Sequence, residues 1–128
     1  MRKALYLGLL ALLPVFSPVY ALDPEAISDV RCIVVGLRFS RAADSTQRSA
    51  GLMLSLYYIG RLDGHVPGYD LEDAIVQQMK TMTLADFASE ARRCGGSLQD
   101  KGKQITEIGQ HLIQRGQQMQ PGSAAPNK

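Results

Sequence analysis

Cys32 and Cys94 are the only two cysteines of this 128-residue chain. Whether they are bridged or free fixes the topology of everything between them, and the first 21 residues bear on the answer. These read MRKALYLGLLALLPVFSPVYA. Arg2 and Lys3 form a short basic start, Ala4 to Phe16 is an apolar run, Pro14 and Pro18 mark its far end, and Val19 and Ala21 put small residues at the −3 and −1 positions of a cleavage site. That is the pattern of a secretory signal peptide over residues 1–21, cleaved after Ala21, and it predicts a periplasmic or secreted protein. An uncleaved anchor would have only Ala4 to Leu22 to cross a bilayer that needs about 20 residues, with two prolines in the way. No stable membrane anchor is therefore expected after cleavage.

In an oxidising compartment an even cysteine count reads as a disulfide. A Cys32–Cys94 bridge would close a 62-residue loop, which chain entropy values at about 4 kcal/mol. Small domains have total stabilities of only about 5–15 kcal/mol, so such a bridge would be decisive. The context EARRCGGSL sets Arg92 and Arg93 beside Cys94, and they would activate a free thiol. No C-x-x-C redox motif is present, and the export argument outweighs the charge context.

Cleavage leaves 107 residues, Leu22 to Lys128, with twelve basic residues against twelve acidic ones. This is enough chain for one small domain with a modest core. It lacks the basic stripe of a nucleic-acid binder.

The mature chain reads as an all-α bundle of about five helices over residues 22–119, followed by a tail over 120–128 of disordered composition. Asp23 caps a first helix with Pro24 at its first position. Ile27, Val30, Val34 and Leu37 recur along it at helical spacing, with Cys32, Val35 and Phe39 extending the face. Asp44 or Ser45 caps a second helix, in which Leu52, Met53, Leu54, Leu56, Tyr57, Tyr58, Ile59 and Leu62 are apolar almost all round. The segment Ser45 to Asp63 is therefore expected to be the central, most buried element, with Gly60 allowing close packing and Gly64 ending it. Asp70 caps a third helix with Leu71, Ala74, Ile75, Met79 and Met82 on one face. Thr83 and Asp86 are a capping signature for a fourth, with Leu84, Phe87, Ala88 and Ala91 inward and its end at Gly95-Gly96. A fifth helix is predicted from about Leu98 to Met119. It has a thin stripe of Ile105, Ile108, Leu112 and Met119, and three weakening glycines, Gly102, Gly109 and Gly116.

The search for chemistry returns little. Glu107 and His111 have metal-ligand spacing, i and i+4, but a metal site wants three or four ligands. Asp63 near His65 resembles an acid–base pair, yet a helix end with His65 favourable to the dipole explains it as well. There is no G-x-S-x-G, no phosphate loop and no dinucleotide fingerprint. No cofactor and no metal are expected, and the chain does not read as an enzyme. Tyr57, Tyr58, Met79 and Met82 are candidates for a binding surface, since methionines make adaptable grooves. The residues point to a small exported protein that acts by contact with another protein. The alternative is a small exported enzyme or metal binder using Asp63/His65 or Glu107/His111.

A helix bearing Arg31-Cys32, a buried helix LSLYYIGRLDG with Tyr58, Gly60 and Gly64, and a helix ending at Arg93-Cys94 follow one another. This order, from about Asp29 to Gly96, resembles two kinds of small exported two-cysteine helical protein: acid-stress chaperones of the HdeA type and the immunity proteins of type VI secreted amidases. The resemblance implies chaperoning in acid or a tight protein partner, respectively. The absence of tryptophan, the long interval between the cysteines and the extra C-terminal helix depart from both. One mechanism is expected to serve either role. The last helix, outside the disulfide loop, opens and exposes an apolar groove, with acid acting through Glu107 and His111 as a trigger.

Overall fold

The computed structural model describes residues 22–119. The signal peptide expected over 1–21 and the tail expected over 120–128 lie outside the described residues. The described residues form four helices: α1 (Pro24–Phe39), α2 (Ser45–His65), α3 (Leu71–Thr81) and α4 (Leu84–Gln118). Each N-terminus is capped as its sequence dictates, by a short polar side chain accepting from a backbone N–H of the first turn that the helix cannot satisfy. Asp23 accepts from Ala26, Asp44 from Gln47 and Asp70 from Asp73. Thr83 and Asp86 form a reciprocal capping box. The Cys32–Cys94 disulfide joins α1 to α4, with the Cα atoms 5.6 Å apart.

The central element is α1, not α2. Helix α1 packs against all three other helices, and α2 also touches α4, whereas α3 packs on α1 alone. Ala26, Asp29, Val30, Cys32, Ile33, Val35 and Gly36 are all buried on α1. That set covers more than half the helix circumference, with Asp29 and Gly36 nearest its middle. Ile27 and Val34 are half-buried and Leu37 is exposed, so the buried face is rotated from the one the spacing suggested. Helix α2 buries only Gly51, Leu54, Ser55, Tyr58 and Leu62. Its Leu52, Met53 and Leu56 point to solvent, 51%, 60% and 69% exposed. An all-round apolar helix needs neighbours on every side to be buried, and α2 has them on one.

The α1–α2 crossing is set by glycines that the sequence reading passed over. A Cβ on Gly36 would meet the Gly51 carbonyl oxygen at 2.8 Å, and one on Gly51 would meet the Gly36 carbonyl oxygen at 2.7 Å. The two backbones therefore touch directly, which only residues without a side chain permit. By contrast, a Cβ on Gly60 would meet nothing within 4 Å, and Gly64 lies inside α2, which runs on to a C-cap at Val66.

The expected fourth and fifth helices are one 35-residue helix. Gly95 and Gly96 do not break it, since neither adopts a positive φ. Glycine lowers helix stability by about 1 kcal/mol but ends a helix only where it takes the left-handed conformation. Cys94 is the one buried residue of α4. Phe87, Ala91 and Leu98 pack at the edge of the core, while Leu84 and Ala88 face outward, against expectation. Beyond Leu98 every described residue is exposed except Gly109, which is half-buried. The segment from Leu98 to Gln118 is an arm roughly 30 Å long at 1.5 Å per residue. It covers no groove, so the expected opening of a docked last helix has no counterpart in the fold.

Candidate functional site

Three regions hold side chains that the core does not need. The first is a charged cluster where the start of α1 meets the end of α2. Asp29 is the one charged side chain among the buried residues and sits on the same face of α1 as Val30 and Ile33. Arg61 reaches it from α2 with Nε 3.1 Å from Oδ2, while its Nη2 lies 3.0 Å from Glu25. Burial raises the Asp29 carboxyl above the usual range, with Arg61 acting against it. The Arg61 guanidinium also lies over the Tyr58 ring, 5.6 Å from its centre. Beside this group His65 Nε2 is 2.8 Å from Asp23 Oδ2. The N-cap bond from Ala26 and the His65 ring hold the Asp23 carboxyl below its usual range, and Asp23 holds His65 above its own. Every cation here faces an anion at hydrogen-bond distance. The cluster fastens α2 to α1 with its charged groups paired, while the buried Tyr58 hydroxyl beneath Arg61 has no hydrogen-bond partner among the described residues.

The second region surrounds the disulfide. Glu90 lies 2.6 Å from Arg93 and 3.6 Å from Arg31, and Arg93 also donates to the Ser28 carbonyl and contacts Cys32 Sγ at 3.0 Å. Gln78 of α3 accepts from Arg31. Cys32, Glu90 and Cys94 are the single group of potential metal-ligand atoms within reach of one another among the described residues. Both sulfurs are in the bridge, which removes the thiolates a metal would need.

The third region is apolar and faces solvent. On α2 it comprises Leu52, Met53 and Leu56. On the arm it comprises Ile105, Ile108, Leu112, Ile113 and Met119, between 51% and 76% exposed. A shallow depression of about 410 Å³ at the start of α2 is lined by Ser45, Thr46, Ser49, Ala50 and Met53. All five belong to one helix, so no second element walls it.

The sequence-derived candidates are dispersed. Tyr58 is buried in the core and cannot contribute to a surface, and Tyr57 is half-buried with its ring edge-on to Tyr58 at 4.9 Å. Met79 is 62% exposed on α3, and Met82 packs against the core. Helices α2 and α3 do not touch, so the tyrosines and methionines make no common surface. Asp63 and His65 are not partners: Asp63 accepts from the Tyr69 hydroxyl at 3.3 Å, while His65 turns to Asp23. Burial and the Asp63 carboxylate push Tyr69 up to about 12. Glu107 and His111 are exposed on the arm, and neither pair belongs to a ligand cluster. The Asp29–Arg61–Glu25 cluster was not found from sequence, although an aspartate within the apolar face of α1 was its visible sign. Among the described residues no helix is long and apolar enough to cross a membrane. No protein-family model, no curated protein and no solved structure matches this chain.

Proposed function

We propose that the protein is a small exported binding module that acts through apolar contact with another polypeptide. The observation that carries this reading is the arm. A 35-residue helix is anchored by Cys94 near the end of its third turn, and the segment beyond Leu98, with its C-cap Met119, holds five large apolar side chains out in solvent. Apolar patches of this kind on soluble domains mark contact sites. The outer face of α2 adds a second, smaller one. The disulfide supports an oxidising compartment, in keeping with the signal peptide. The resemblance to acid-stress chaperones and to amidase immunity proteins gives two forms of the same role, one with many clients and one with a single tight partner.

The test is affinity capture from envelope extracts with the oxidised mature protein, alongside an Ile105→Ser/Leu112→Ser variant and a Leu52→Ser/Leu56→Ser variant. All four positions are exposed, so circular dichroism should show both variants folded. The wild type should retain one or more proteins that at least one variant loses. Retention of the same set by all three would overturn the reading, as would retention of nothing by the wild type.

A further inference from the structure

From Leu98 onward the arm repeats a pattern at alternating steps of four and three: Leu98, Gly102, Ile105, Gly109, Leu112, Gly116, Met119. These positions fall on one seam of the helix, with a large apolar residue and a glycine in strict alternation. Ile108 and Ile113 flank Gly109 on either side. Asp100, Glu107 and His111 lie away from the seam, on the polar side. Outside the glycines the seam is exposed beyond Leu98, and no other described residue covers it.

We propose that two copies of this chain associate through Leu98–Met119 as an antiparallel helix pair, each large apolar side chain seated on a glycine of the other copy. This rests on the reading of the arm as a contact surface and names what covers it. The argument is size complementarity under a two-fold axis. Running antiparallel about position 107, Leu98 meets Gly116 of the second copy, Ile105 meets Gly109, and Leu112 meets Gly102. The axis then generates the same three contacts in reverse. A two-fold interface must be complementary to itself, and this sequence of sizes is. A parallel pairing would instead set glycine on glycine and large residue on large residue at every layer. The area suffices as well. The five exposed apolar side chains per copy, at roughly 60–120 Å² each from their transfer free energies, bury roughly 600–1,200 Å² over both copies. That range spans the roughly 1,000 Å² expected of a specific interface. The same register sets Lys101 beside Arg115 of the second copy, so the pair repels weakly and salt should tighten it.

The test is sedimentation equilibrium of the oxidised mature protein. The wild type should form dimers whose dissociation constant falls when salt is raised. Gly109→Leu should raise that constant at least tenfold, because Ile105 of the second copy loses its seat, even though leucine is the better helix former. The helix signal of the variant should be equal or higher, which separates this effect from unfolding. Glu107→Ala should leave the constant unchanged. Direction is read from nitroxide labels at Gln110→Cys and at Gln117→Cys, one heptad apart on the same side of the helix. An antiparallel pair centred at 107 offsets the labels at 110 by about 9 Å along the axis and those at 117 by about 30 Å. Equal distances at both sites, a chain monomeric at millimolar concentration, or a dimer indifferent to Gly109→Leu would each overturn the proposal. A monomer whose arm variants still lose a captured protein would overturn it while leaving the binding-module reading intact.

Discussion

Two glycines in α2 should respond to the same substitution with opposite signs. Gly60→Ala places a methyl group where nothing lies within 4 Å. It gains only the helix propensity of alanine over glycine, about 0.8–1.0 kcal/mol of added stability. Gly51→Ala gains the same propensity but sets its Cβ 2.7 Å from both the Gly36 carbonyl oxygen and the Phe39 carbonyl carbon, and closer still to the Ser40 nitrogen. All three atoms are backbone, so no side chain can turn aside. Restoring ordinary contact requires α1 and α2 to separate by roughly 0.5–1 Å, a gap that forfeits a quarter to a half of the dispersion energy of the atoms across it. Overpacking of this kind costs about 1–3 kcal/mol, and the crossing carries Leu54, Ser55 and Tyr58 of the core with it. The net expectation is a loss of up to about 2 kcal/mol for Gly51→Ala and a gain of up to about 1 kcal/mol for Gly60→Ala. At about 4–8 °C per kcal/mol for a domain of this size, the two melting temperatures should differ by roughly 5–20 °C in a fixed order. The assay is thermal unfolding of the oxidised mature protein followed by circular dichroism at the helix band. A Gly51→Ala protein as stable as Gly60→Ala would refute the direct backbone contact between α1 and α2.

Opening the disulfide by Cys32→Ala/Cys94→Ala should remove about 4 kcal/mol, measured by urea unfolding; a loss below about 1 kcal/mol would mean that the charged clusters alone hold α4 to α1. Asp29 should oppose acid destabilisation. Its folded pKa is raised by burial, so the folded state takes up the proton first. Its contribution to stability therefore grows as pH falls through that raised value and is complete below the unfolded value near 3.8. Asp23 and Asp86, whose folded values are lowered, lose theirs over the range below 3.8. Wild type minus Asp29→Asn stability should thus rise toward acid in urea titrations between pH 7 and pH 3, and a flat difference would count against the burial of Asp29. Hydrogen exchange at concentrations where the chain is monomeric should be faster in residues 98–118 than in residues 45–65, since no other described residue covers the arm; equal protection would show the arm docked on the core.

Helix existence and helix starts were legible in the sequence because they depend on local chemistry. Asp23 with Pro24, Asp44, Asp70, and Thr83 with Asp86 each satisfy first-turn N–H groups within three residues of themselves, so their effect needs no knowledge of the rest of the fold. The disulfide was legible for a different reason: the only two cysteines of a chain that reads as exported have only each other. Helix ends and helix faces were not legible. Gly95-Gly96 could stop a helix or pass through one, and the choice went to the continuous helix locked at Cys94 beside α1. The apolar character of α2 suggested a centre, yet burial depends on how many neighbours surround a helix. Contact between Gly36 and Gly51 left Leu52, Met53 and Leu56 on the far side. The tyrosines and methionines were separated for the same reason, since α2 and α3 both need α1 and do not touch each other. The seam of the arm is the reverse case. Its alternation of large residues and glycines is written entirely in the sequence, but whether it faces a core or solvent was decided only by the continuation of α4 past its anchor at Cys94.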